Sequence, residues 1–453
     1  MSNGISKTDL NLIPAGYKQT EVGVIPEDWK VKSIGEIASI FSGGTPNRKI
    51  PEYWDGDIPW VTTTLIDGTE IDSAREFITQ RGLENSSTNW CKAGTILLAM
   101  YGQGKTRGKA AILSIDATIN QACVAIELKD ICSSHYILHI LNSMYEEIRE
   151  LSNSGSQENL SAGIIKSIQI PFPPKKEQIT IANALSDVDL LISELKKLIA
   201  KKQAIKTATM QQLLTGHTRL PQFALREDGS KKGTKQSELG EIPEDWEVVL
   251  IGNECDILTG FPFPSGKYSD SGIRLLRGSN IKRSYTDWSA EITQYWPQFT
   301  SSIAQYKLKA GDIVISMDGS LVGRSFAQLR KSDLPALLLQ RVARLRSETI
   351  SQSFLKEWIF SKFFTEHCDS VKTVTAIPHI SPQDIRNFKL TLPPSKTEQT
   401  AIATILSDMD EEIQSLKQRL SKIRQIKQGM MQELLTGKTR LVQPSPTDIC
   451  HVD

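Results

Sequence analysis

The chain is written twice, and that duplication limits its architecture more than any single motif does. Ile25-Pro-Glu-Asp-Trp29 returns as Ile242-Pro-Glu-Asp-Trp246, 217 residues later, after the similar lead-ins TEVGV and SELGE. At the same offset KAGTILLAMYG (Lys92 to Gly102) matches KAGDIVISMDG (Lys309 to Gly319). PKKEQITIANALSDVDLLISELKK, from Pro174, then matches SKTEQTAIATILSDMDEEIQSLKQ, from Ser395, with about half of the positions identical. Both copies close on one phrase, LLTGHTRL at Leu213 to Leu220 and LLTGKTRL at Leu434 to Leu441. Such agreement in order and spacing excludes a coincidence between helices of similar composition.

Each copy follows one plan. A β-rich, Gly/Pro-punctuated part comes first, 25–171 and 242–391, with short apolar runs such as Thr95 to Ala99 and Asp312 to Ser316 that read as strands. An amphipathic helix is expected within each part, over Ser134 to Leu151 and Ser353 to Asp369. Pro-rich stops, PFPP at 171–174 and LPP at 392–394, then precede a long helical segment. The predicted division is a lead-in (1–24), a β-rich domain (25–171), a central helical spacer and linker (172–241), a second β-rich domain (242–391), a second helical spacer (392–441) and a tail (442–453).

The helical segments carry an apolar heptad seam. In the second copy Ile402, Leu406, Met409, Ile413, Leu416, Leu420 and Ile423 alternate spacings of four and three. In the first, Ile181, Leu185, Val188, Ile192, Leu195 and Ile199 do the same; Lys202 interrupts the seam and Ile205 resumes it. Gly216 and Gly437 stand where helix ends belong. A helix from Asp187 to Leu214 would run roughly 42 Å and could not bury its stripe alone. The simplest partner is its duplicate. The expected fold is therefore mixed α/β (α+β): two β-rich heads joined by two long antiparallel helices in an intramolecular coiled coil, a pseudo-two-fold tandem duplication.

Composition supports a globular protein, with 39% hydrophobic and 23% charged residues. No run of about 18 apolar residues offers a membrane span, and the first residues contain no apolar signal core, so a cytoplasmic protein is expected. The six cysteines form no CxxC pair and read as reduced, mostly buried thiols. A net charge of +1 does not by itself suggest nucleic acid. The distribution does slightly: Lys267 to Arg346 holds 13 Lys/Arg against 6 Asp/Glu, whereas Arg48 to Lys109 balances 8 against 8.

Catalytic patterns are missing. Gly104-Lys105-Thr106 resembles the end of a P-loop, but the first glycine of that pattern is replaced by Ala99, and an apolar run rather than a helix follows. The second copy has Asp318-Gly-Ser-Leu-Val-Gly-Arg324 there and lacks the lysine. His135 and His139 lie four apart without the carboxylate of HExxH, so no metal is expected. No GxSxG elbow, Asn-Pro-Pro-aromatic signature or nuclease-like carboxylate pattern occurs.

The junction phrases carry a resemblance. IPEDW opening a β-rich domain, Ser154-Gly-Ser-Gln-Glu-Asn-Leu-Ser161 before the Pro-rich stop, PPKKEQ entering a helix and MQQLLTG (Met210 to Gly216) leaving it are similar to specificity subunits of Type I restriction-modification systems. Met431-Gln-Glu-Leu-Leu-Thr-Gly437 resembles them equally, whereas Val374 to Ser381, the counterpart of SGSQENLS, departs from the pattern. The resemblance implies that the β-rich parts are target recognition domains and that the helices are spacers docking two modification subunits. It implies a chain that is not an enzyme and binds no cofactor. S-adenosylmethionine would sit in the modification subunits, and a motor-nuclease subunit would translocate and cut. The implied partners are double-stranded DNA, two methyltransferase subunits and restriction/translocase subunits.

Base readout needs polar side chains on supported edges. The candidate DNA contacts are Thr62, Thr63, Thr64, Tyr101, Gln103, Lys105, Arg107 and Lys109 in the first head. In the second they are Arg277, Ser279, Asn280, Lys282, Arg283, Ser320 and Arg324. Two rival classes exist. A coiled-coil adaptor explains the repeat and the seam but not why the heads diverge in their loops while the helices stay alike. A nucleic-acid hydrolase or NTPase rests on the Gly-Lys-Thr triplet alone.

Overall fold

The computed structural model describes residues 13–66, 70–102, 105–151 and 159–442. The chain packs as two compact units, one of 1–196 with 418–453 and one of 197–417. This division follows packing and cuts across both spacers rather than along the repeat edges. The helix Lys175–Thr215 gives its first half to unit one and its second to unit two, and the helix Lys396–Leu434 does the reverse.

In unit one the apolar run Ile96–Ala99 is the middle strand of a five-stranded sheet, ordered Ala38–Ser42, Cys123–Leu128, Ile96–Ala99, Ala110–Leu113, Glu70–Ile71. Only the last pairing is parallel. The run is continuous because both faces are covered. Ile96 and Leu98 join Tyr136, Ile137, Ile140 and Leu141 of the helix Ser134–Ser143 in one core. Leu97 and Ala99 turn the other way, toward Val61, Ile66 and Ile119 beside the second sheet. That sheet runs Glu76–Ile78, Trp54–Val61, Ala117–Ile119, Trp90–Cys91.

Unit two repeats this scheme. Its four-stranded sheet runs Asp256–Thr259, Val342–Arg346, Ile313–Ser316, Phe326–Gln328, and its second sheet Gln294–Trp296, Ile273–Leu276, Ala336–Leu338. Ile313 and Ile315 enter the helix-side core and Val314 the inter-sheet core, as the period of two requires.

The amphipathic segment of each head is two helices rather than one: Ser134–Ser143 and Tyr145–Glu150, then Gln352–Ile359 and Lys362–Val371. Ser143 and Ser361 donate their hydroxyls to the carbonyls of Ile140 (2.7 Å) and Trp358 (2.6 Å). These local bonds compete with the helical ladder where each helix ends.

The repeated phrases converge in each unit. In unit one Arg440 forks onto Asp28 (2.9 and 2.9 Å) and Glu177 (2.6 and 2.8 Å), and the indole of Trp29 donates to Glu177 (3.0 Å). Gly437 turns with φ +71°, and any side chain there would strike Pro26. In unit two Arg219 forks onto Asp245 (2.6 and 2.9 Å) and Glu398 (2.8 and 2.8 Å), and Gly216 (φ +75°) abuts Pro243. IPEDW supplies the aspartate, the helix entrance the glutamate and TRL the arginine. In both units the TRL phrase comes from the other repeat. The helix-entrance glutamine is equally fixed: Gln178 donates to Pro173 O (2.9 Å) and accepts from Ser133 N (2.9 Å), as Gln399 does with Pro393 O (2.9 Å) and Ser351 N (2.7 Å).

Within each unit the paired helix halves are antiparallel. Lys427 meets Asp189 (2.6 Å) in unit one, and Lys206 meets Asp410 (2.5 Å) and Lys202 meets Glu412 (2.6 Å) in unit two. Of the seam, Leu185, Ile192, Leu195, Leu406 and Ile413 are buried, while Val188, Met409 and Leu416 are half-buried. Leu185 and Leu406 pack into the head cores rather than solely against a helix. Ile205 does not resume the seam: it is 41% exposed, because Lys202 and Lys206 occupy the interface at that level. In the lead-in, Tyr17–Thr20 pairs with Gly23–Pro26 as a hairpin.

Candidate nucleic-acid interface

In both heads the candidate residues gather on turns at equivalent strand ends. The strand Trp54–Val61 runs into a single turn, Thr63–Leu65, and its counterpart Ile273–Leu276 into Gly278–Asn280. Thr62, Thr63 and Thr64 thereby occupy the places of Arg277, Gly278 and Ser279. Thr62 and Thr64 share a hydrogen bond of 2.7 Å. Ser279 is exposed, and Arg277 is half-buried beside it.

Asn280 does not reach this surface. It is fully buried, accepting from Arg277 N (3.1 Å) and donating to Asp287 O (2.9 Å), so it shapes the turn from inside. Arg107 is also turned inward, whereas Arg324 is half-buried with its guanidinium already engaged. Arg107 is only 7% exposed, and its carbonyl accepts from Arg149 (3.3 Å). Arg324 forks onto Asp369 (3.0 and 2.7 Å), a bond that raises the guanidinium pKa and holds the Asp369 carboxyl well below the usual carboxylate range. A guanidinium so engaged ties the sheet to a helix. The remaining candidates differ in exposure: Tyr101, Lys105, Arg283 and Ser320 are exposed, and Lys109 and Lys282 are half-buried. Gln103, Gly104 and Ser154 to Glu158 lie outside the described residues. After Thr106 the chain enters the strand Ala110–Leu113, so no helix N-terminus is available to cradle a phosphate.

In unit two these turns enclose a cleft of about 450 Å³. Arg277, Ser279 and Lys282 line one side, Asp318, Gly319 and Ser320 the end of the strand Ile313–Ser316, and Gln340 and Arg341 the turn between Ala336–Leu338 and Val342–Arg346. Ile377 closes the rim from the Val374 to Ser381 stretch, which is fixed to the site by Gly319 N donating to Pro378 O (3.0 Å). The cleft thus combines cations, amide and hydroxyl groups with an apolar edge, the groups that read base edges and thymine methyls. Gln340, Arg341 and Asp318 escaped the sequence reading. The available signal was Asn120-Gln121-Ala-Cys-Val-Ala against Leu339-Gln340-Arg-Val-Ala-Arg, which places a glutamine at the same turn in both heads. Gln121 is exposed and accepts from the Thr45 hydroxyl.

His139 faces the helix Lys175–Thr215, with Nε2 3.2 Å from Ser186 Oγ and Nδ1 4.0 Å from Asp189. Burial, then Lys427, push its pKa down to about 4, although Asp189 opposes the shift; the ring is neutral at physiological pH. No group of three or more His, Cys, Asp or Glu among the described residues is placed to hold a metal ion. Nor is any described helix long and apolar enough to cross a membrane.

The comparisons with known proteins agree along the chain. The family described as Type I restriction modification DNA specificity domain matches twice, over residues 26–207 and 243–425. The MjaVIII Type I restriction enzyme specificity subunit of Methanocaldococcus jannaschii is 30% identical over 421 residues, covering 91% of this chain and 93% of that protein. The EcoAI specificity subunit of Escherichia coli is 35% identical over 195 residues, 42% of this chain and 32% of its own length. The crystal structure of a Type I restriction-modification system S subunit from M. genitalium shares the fold, with a TM-score of 0.55 at 15% identity over 90% of this chain and 96% of that one. With two family matches spanning most of its length, the chain belongs to the Type I restriction-modification DNA specificity family.

Proposed function

We propose that this chain is the non-catalytic subunit that selects the DNA target of a Type I restriction-modification enzyme, each head reading one half of a bipartite site. Head 25–171 would read one block and head 242–391 the other. The observation that carries this reading is the pair of equivalent turns: one backbone frame presents Thr62-Thr63-Thr64 in one head and Arg277-Gly278-Ser279 in the other. Identical frames with different polar side chains suit two different half-sites.

The helices are the docking surface for two modification subunits, which hold S-adenosylmethionine and methylate adenine; restriction/translocase subunits join that complex in the cytoplasm. The exposed Ile179, Leu190 and Leu191 on the unit-one stretch of the helix Lys175–Thr215 support docking, since a helix that faced only water would not present them. A structure solved to explain complex assembly of the type I R-M system has a similar fold (TM-score 0.54, 16% identity). The modest net charge fits shared phosphate contacts.

The test is to co-express the chain with its methyltransferase partner and map methylated adenines genome-wide. Two short specified blocks around an unspecified spacer are expected, and replacing 242–391 with another subunit's recognition domain should change one block only. A single uninterrupted motif refutes the reading.

A further inference from the structure

We propose that Arg341 is the residue through which the second head recognises a guanine in its half-site, an assignment that rests on the function proposed above. The turn carrying it is fixed by backbone hydrogen bonds to three neighbouring segments: Leu339 N to Leu276 O (3.1 Å), Gln340 N to Phe261 O (2.9 Å) and Met317 N to Arg341 O (2.9 Å). On this anchored backbone Arg341 adopts φ +67°, a left-handed conformation that a long side chain rarely takes. Ala122 is its counterpart in the first head and makes the same bond, Met100 N to Ala122 O (2.9 Å), but is not left-handed. The shared frame therefore does not require that conformation. The second head departs from the frame at the residue where it places a guanidinium over the cleft.

The other arginines of this basic stretch that have side-chain partners serve the fold. Arg274 donates to the carbonyls of Ser332 and Leu334 (2.9 and 2.9 Å), Arg344 is buried on Asp256, and Arg346 is bonded to Asp312 (2.7 Å). Arg341 differs. Its side chain is 68% exposed and touches Asp318 at 3.4 Å, a contact that leaves most of its five donors to solvent and biases the direction of the fork. A rigid base with an exposed planar fork matches guanine, whose O6 and N7 accept two parallel N–H bonds in the major groove. A phosphate would accept the same donors, so the two sources must be separated by experiment.

The complex with its modification subunits should be prepared with wild-type chain, R341A, R341K and R341G. Glycine tolerates the left-handed turn and guards against a folding artefact. For the wild type, the block read by the second head should contain a G·C pair. R341A and R341G should both become degenerate at that pair, with the first block unchanged, and should lose roughly 5- to 100-fold in affinity for the cognate duplex. R341K should retain affinity for unrelated duplex yet fail to restore the discrimination. Equal weakening on every duplex with an unchanged motif, rescued by R341K, would identify a phosphate contact and overturn the assignment. So would a second block without G·C. A wild-type complex that methylates no two-part motif overturns the functional reading, and this assignment with it.

Discussion

His139 and Glu357 occupy equivalent positions on the first helix of the two heads, and both are buried against the long helices. Their environments act in opposite directions on stability. Burial raises the Glu357 pKa despite the 2.6 Å contact with Lys356, so ionisation opposes folding of unit two as pH rises. Burial depresses His139 from the ordinary 6.5 to about 4, so between these values the unfolded chain binds a proton that the folded chain refuses. Stability then rises with pH through that window and is lost as pH falls through it. The full shift corresponds to about 3 kcal/mol, at about 1.4 kcal/mol per unit. His139→Gln should therefore flatten the dependence of unit-one stability between about pH 6.5 and 4. Chemical denaturation across that range would measure it, and a variant as acid-sensitive as the wild type would contradict the assignment.

At the scale of elements, the TRL phrase is a latch rather than a linker. Arg440→Ala would leave Glu177, whose side chain is 3% exposed, with one indole donor and no cation, and would leave Asp28 unpaired. Losing one partner of a buried ion pair costs about 3–5 kcal/mol; with Arg440 itself 20% exposed, about 3 kcal/mol is expected. Hydrogen exchange should show unit one loosened and unit two unchanged, because Arg219 performs this task there; equal loosening of both would deny the latch. Much of this was legible in the sequence. The duplication revealed both long helices, the strands Ile96–Ala99 and Ile313–Ser316, and the glycines that end each helix. The helix breaks were not legible, because Ser143 and Ser361 bond to carbonyls inside an uninterrupted apolar period. Nor was the role of the seam: a heptad records which face is apolar, not that Leu185 and Leu406 would meet a head. Nor was it legible which candidate side chains reach the surface, because that depends on contacts distant in sequence. Arg107 and Arg324 read as basic loop residues, but Arg107 is buried and Arg324 is paired with Asp369 of a helix distant in sequence; Arg341 stood out only once three nonlocal backbone bonds had fixed its turn.

For the whole molecule, the exchange of TRL phrases means that neither repeat completes its own unit. The first repeat alone, cut near Gln236, contains Trp29, Asp28 and Glu177 but not Leu434, Leu435 and Arg440, which finish that core. It does contain their equivalents, Leu213, Leu214 and Arg219. In a second copy these residues could dock on the vacant surface, with Gly216 taking the place of Gly437 against Pro26. The return is large, since each leucine brought from water into a core contributes roughly 1.5–3 kcal/mol and the paired helix halves bury further apolar residues. The fragment should therefore be a two-fold dimer in sedimentation measurements, with both half-units complete. Arg219→Ala in the fragment should weaken that dimer, because each copy would lose the cation that the other copy's Asp28 and Glu177 require. With modification subunits present, two identical heads should direct methylation to a palindromic version of the first block. A soluble, strictly monomeric fragment with a native core would show that the exchanged phrase is dispensable, and the latch would then be decoration on a head that folds alone.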